Sequence, residues 1–87
     1  MHTNFIVKYN GTMVDLAKDV ANLRYDTLAN FLLDLRTEIV AQAHIDSNEG
    51  RAILARQLTE LQHYLLKAHT ATELAWKISK LYMTMNN

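Results

Sequence analysis

Between Thr12 and Met85 the chain contains no proline and only one glycine, Gly50. Proline lacks the N–H that a helix interior requires, and glycine loses the most backbone entropy on ordering. A long stretch nearly free of both therefore favours helix over any other regular state. The apolar residues agree, because they recur at steps of three and four. The expected fold is all-α: a small antiparallel helical bundle of three to four helices over residues 12–87. A short extended N-terminal arm, residues 1–11, precedes it.

The arm holds Phe5-Ile6-Val7, a β-prone run, followed by the turn-forming pair Asn10-Gly11. A hairpin pairing residues 5–9 with 12–15 is one reading. An extended arm that lays Phe5, Val7 or Tyr9 onto the bundle is preferred, since a lone two-stranded hairpin is marginal. A first helix is expected from Thr12 or Met13 to about Leu23, with Thr12 as N-cap and Met13, Leu16, Ala17, Val20 and Leu23 on one side. Asp26 can cap a second helix over about 27–44. No breaker separates the two, so one long kinked helix remains open.

On the second helix Leu28, Phe31, Leu32, Leu35, Ile39 and Ala43 cluster within one arc and are read as its core face. Asp46-Ser47-Asn48-Glu49-Gly50 is the clearest punctuation, with Asp46 and Glu49 spaced as a capping box. A third helix over about 47–67 follows, its seam formed by Leu54, Leu58, Leu61, Leu65 and Ala68. Thr70-Ala71-Thr72-Glu73 has the capping-box pattern again and predicts a fourth helix to about Met85. Leu74, Ile78, Leu81 and Met85 form its seam.

A chain of 87 residues is one domain, and at this size folding removes only about 60–65% of the unfolded surface from water. Nine basic and nine acidic residues cancel, so no net charge draws the chain to nucleic acid or an anionic membrane. There is no cysteine, hence no disulfide, thiolate metal site or cysteine nucleophile. No apolar run is long enough to span a bilayer and no secretory leader is recognisable, so the expected location is cytoplasmic. Asn10-Gly11-Thr12 matches a glycosylation acceptor, a pattern that is common by chance.

The candidate chemistry is thin. Glu60 and His63 have the Glu-x-x-His spacing of metal-binding bundles, and Glu38 could add a carboxylate in a dimer. Helical rotation puts Glu60 and His63 about 140–200° from Leu58, beside Arg56 and Lys67, where a solvated charge stripe is expected. Asp34 with Glu38 and Asp15 with Asp19 are carboxylate pairs four residues apart, a common surface pattern. Asp46-x-Asn48 starts like a calcium loop, but Gly50 comes one residue early and Gln57 stands where glutamate is needed. His44 and His69 read as histidines near helix ends. Arg51, Arg56, Lys67, Lys77 and Lys80 form no continuous basic track, which disfavours nucleic acid. No cofactor, metal or catalytic site is expected, and the chain is not read as an enzyme.

The remaining clue is a second apolar stripe. Leu33 and Val40, seven residues apart, lie about 140–160° from Leu35. Trp76 and Met83 are likewise seven apart and opposite Ile78. The apolar arc of the second helix then exceeds what a surface helix needs. Leu33, Val40, Trp76 and Met83 are therefore the expected partner interface. The reading is a non-catalytic protein–protein interaction or self-association module, with a homodimer as the simplest arrangement. A small nucleic-acid-binding regulator is the alternative.

Overall fold

The computed structural model describes residues 2–85, and the side chains of residues 2–83. Its helices are α1 (Met13–Ala21), α2 (Tyr25–Asn48) and α3 (Ala52–Met85). The described residues form no strand, so residues 2–11 do not make the hairpin; the segment meets the helices at Tyr9, against α1, and at His2, beside Gln42, Ile45 and Asp46 of α2. A turn closes from the Tyr9 amide to the Ile6 carbonyl, Phe5 and Val7 stay exposed, and Tyr9 is half-buried. The Tyr9 hydroxyl donates to Asp19 on α1 at 2.5 Å, and that carboxylate holds the phenol proton until a pKa of about 12. Gly11 permits this approach: a Cβ there would lie 2.8 Å from the Tyr9 ring.

Thr12 caps α1 in a full capping box. Its hydroxyl accepts from the Asp15 amide, and the Asp15 carboxylate accepts from the Thr12 amide. Those bonds favour the ionised acid and lower the Asp15 pKa. The first two helices are separate despite the lack of a breaker. Arg24 leaves the helical region with ψ 143, and its guanidinium grips Asp26 through two bonds of 2.6 and 2.8 Å. Asp26 is thus inside the first turn of α2 rather than its cap, and its pKa is lowered chiefly by Arg24.

At its other end α2 runs past the expected stop at His44. The Arg51 amide reaches the Asp46 carbonyl at 2.8 Å and the Gly50 amide reaches Ser47 at 3.2 Å. This is a Schellman ending, with Gly50 at φ +82 in the left-handed position. The hydrophobic clasp that often accompanies such an ending is ionic here. Arg51 sits 2.7 Å from Asp46 and 2.6 Å from Glu49, which raises its pKa. The Asp46–Glu49 pair therefore closes α2 through Arg51 instead of opening the next helix.

The expected fourth helix does not exist as a separate element; α3 runs unbroken through Thr70–Glu73. Thr70 and Thr72 turn their hydroxyls back to the carbonyls of Leu66 and Ala68. Glu73 contacts His69 at 3.2 Å instead of reaching back to an amide at Thr70. A capping box permits a start but cannot force one where good helix formers precede it. Helices α2 and α3 pack antiparallel along their length, and no comparable contact ties α1 to either. With 34 residues against 24, α3 outreaches α2 by about 15 Å at 1.5 Å per residue.

Two measurements check this architecture. Amide exchange at Ala71–Leu74 is slow, as in a helix interior; fast exchange there would restore the fourth helix. Gly50→Ala lowers stability by about 1–2 kcal/mol in urea unfolding, the left-handed penalty for an L-residue. Nothing lies within 4 Å of the new Cβ, so no steric clash adds to that cost.

Candidate functional site

The contact between α2 and α3 follows a heptad-like repeat. Ala29, Leu33, Arg36, Val40 and Ala43 supply it from α2, all buried or half-buried. On α3 it continues through Ala55, Leu58, Gln62, Leu65, His69, Thr72, Trp76 and Ser79, at alternating steps of three and four. The fully hidden apolar residues are only Ala29, Ala43 and Ala55, and no large side chain among the described residues is fully buried. Alanines let the two backbones approach closely, and polar groups then bond across the gap.

Arg36 Nε donates to Gln62 Oε1 at 2.9 Å, and Gln62 is only 7% exposed. His69 Nδ1 lies 2.7 Å from the Ala29 carbonyl, while its other ring nitrogen faces Glu73. No buried side-chain polar atom among the described residues lacks a partner.

The large apolar residues lie one step around each helix from this seam. On α2, Leu28, Leu32 and Ile39 are half-buried, and Phe31 and Leu35 are 41% and 38% exposed. On α3, Leu54, Leu61, Tyr64, Ile78 and Tyr82 are exposed. In both helices this flank precedes the seam residues by one position, so antiparallel packing puts both flanks on the same side of the hairpin. A shallow depression lined by Tyr25, Ala75, Ile78, Ser79 and Tyr82 bridges them. Of the core faces read from the sequence, Ala43, Leu58 and Leu65 do join the seam, while Phe31, Leu35, Leu54 and Leu61 are left on the open flank. Burial went to its neighbour because the alanines and the Arg36–Gln62 and His69–Ala29 bonds rotate both helices toward each other.

The expected interface residues are dispersed. Leu33 and Val40 are half-buried, Val40 in a groove shared with Ala55, Thr59 and Gln62 of α3. Trp76 is half-buried, with the Arg24 guanidinium 5.2 Å and the Lys80 ammonium 5.4 Å from its ring centre. Met83 alone of the four is exposed, at 55%, on the overhanging end of α3. The α3 seam role given to Met85 falls on a side chain outside the described residues. The open face was legible in the leucine periodicity, yet nothing local marked it as unpaired.

The opposite side of the hairpin carries a groove of about 490 Å³ lined by Arg36, Val40, His44, Arg56, Thr59 and Gln62, among others. Its lining contains no carboxylate. Glu38, Glu60 and His63 are exposed. No three histidine or carboxylate side chains among the described residues are grouped as a metal would need. Of the other carboxylate pairs, Asp15 is engaged in the α1 cap and Asp19 with Tyr9. No described helix is long and apolar enough to cross a membrane. No protein-family model, curated protein or solved structure matches this chain.

The polar seam makes its own prediction. Gln62→Ala leaves the half-buried Arg36 without its partner and lowers stability by about 1–2 kcal/mol in urea unfolding. An unchanged midpoint would show that the bond contributes nothing.

Proposed function

We propose that the chain is a non-catalytic interaction module that binds another protein surface through the open apolar side of its helical hairpin. The observation that carries this reading is the division of residues. Alanines and polar side chains close the hairpin together with half-buried Leu33, Val40, Leu58, Leu65 and Trp76, while Phe31, Leu35, Leu61, Ile78 and Tyr82 beside them stay exposed. Scattered exposed leucines are ordinary on any surface. A continuous stripe across two helices is not, and such patches mark places where proteins meet.

The interface therefore moves by about one residue's rotation from Leu33, Val40 and Trp76, which already serve the hairpin. Met83 remains available at the end of α3. The groove on the other side favours nucleic acid less. Arg36 already donates to Gln62, and Glu60 stands one helical turn from Arg56. A cytoplasmic setting is part of the same reading.

At concentrations where the helical chain is a single copy, it raises the fluorescence of the apolar dye ANS several-fold above that of a Leu35→Ser/Leu61→Ser double variant. A helical single copy that leaves the dye dark overturns the proposal.

A further inference from the structure

The geometry points to a second copy of this chain as the occupant of the apolar side. We propose a two-fold dimer in which two hairpins meet face to face as a four-helix bundle, centred on Leu35 and Leu61. This rests on the interaction reading above and commits it to one partner.

Three observations select a second copy. The first is area. The chain exposes 7140 Å², whereas a compact monomer of 10.0 kDa exposes about 5,200 Å². The surplus of about 1,900 Å² per chain suits an obligate homodimer, whose interfaces bury roughly 2,000–5,000 Å² in total. The second is shape. The molecule measures 56 × 29 × 14 Å, and a helix with side chains is about 10–12 Å thick. Within the chain, His2 approaches this side at the hairpin end, where it shares a pocket with Gln42, Ile45 and Asp46, while Leu35 and Leu61 stay exposed. A second hairpin supplies a covering layer and completes the common antiparallel bundle.

The third is charge. A two-fold axis sets each residue near it against its own copy, so a charged residue there would meet its like. Glu38, seven residues after Phe31, stands at the rim of this side, while Leu28, Leu32, Leu35 and Ile39 keep the strip of α2 nearest the axis apolar. Leu54, Leu61, Ala68, Ala75 and Ile78 do the same along α3. Asp46, at the hairpin end, is engaged by Arg51. The chain's formal charge of zero adds no repulsion between copies. With its charge at the rim and apolar residues along the strip nearest the axis, the surface has a pattern that self-pairing tolerates.

The Arg36–Gln62 bond sets the level of the axis. Leu35 and Leu61 each precede one of these partners, so they lie side by side near the middle of the α2 contact. They are the residues that pack deepest against the second copy, where truncation costs most.

Light scattering of the full chain at tens of micromolar tests the proposal. The expected mass is twice that of one chain, with an unfolding temperature that rises with concentration. Leu35→Asp and Leu61→Asp lower the mass to one chain, and Met83→Asp does not. Because those variants could lose their fold with their partner, a second measurement uses the absence of native cysteine. Leu35→Cys copies are joined by a short bis-maleimide, and Glu60→Cys copies are not.

A wild-type single copy overturns the dimer. So does a dimer abolished by Met83→Asp yet indifferent to Leu35→Asp, or one joined through Glu60→Cys and not Leu35→Cys. A helical single copy that still lights ANS through the Leu35 side overturns self-pairing alone and leaves the interaction reading intact. One that is also dark to the dye removes both.

Discussion

The structure depends on the way α2 and α3 are held: by close approach at Ala29, Ala43 and Ala55, with Arg36 reaching Gln62 and His69 reaching the Ala29 carbonyl. Alanine contacts alone have little directionality and would hold the register only weakly. The two cross-bonds exclude a slide, because moving either helix by a turn would leave Gln62 unpaired in a site only 7% exposed. A buried polar contact of this type contributes less to net stability than to the choice of one register. Rotation is selected along with register. Once Arg36 and Gln62 face each other, Leu35 and Leu61 must lie about 100° away, on one common side.

Much of the architecture was written in local signals. The absence of breakers gives the helices, Thr12 with Asp15 gives the start of α1, and Gly50 gives the turn between α2 and α3. These features act within a few residues, so a single sequence displays them. The fourth helix was misjudged for the complementary reason. Thr70 and Glu73 have the spacing of a cap, but Glu73 is drawn to His69, whose ring is committed across the hairpin to Ala29. His69 is local to Glu73, but the Ala29 carbonyl that holds its ring lies forty residues away and leaves no local trace.

Both apolar stripes were also legible, but their assignment was not. Ranking by hydrophobicity favours the side with Leu28, Phe31, Leu32, Leu35 and Ile39 as the core, because large side chains gain most from burial. That ranking assumes the core is completed within the chain. Here the weaker stripe, Leu33 and Val40 among alanines and polar groups, closes the hairpin and leaves the stronger one outside. Arg36 and Gln62 read as surface residues in isolation, and only their meeting shows otherwise. The expectation of an interface followed from a surplus of apolar surface. Exposed apolar surface is present, and it includes Met83 as well as Leu35 and Leu61.

A chain of this molecular mass would expose about 14,500 Å² when unfolded, so its folded 7140 Å² means that only about half has left the water. A fully buried leucine or phenylalanine contributes about 1.5–3 kcal/mol, and none of these large side chains reaches that state within the single chain. Part of the hydrophobic stabilisation still to be gained lies on the side of the hairpin with Phe31, Leu35 and Leu61, while the register is already set by bonds on its seam. In that division the seam specifies the shape and the open side supplies part of the remaining driving force. In the proposed dimer, association would complete the hydrophobic core of the fold instead of joining two finished domains. It would also leave the groove with Arg36, His44 and Arg56 facing outward, so the assembled module would present polar chemistry on both of its broad surfaces.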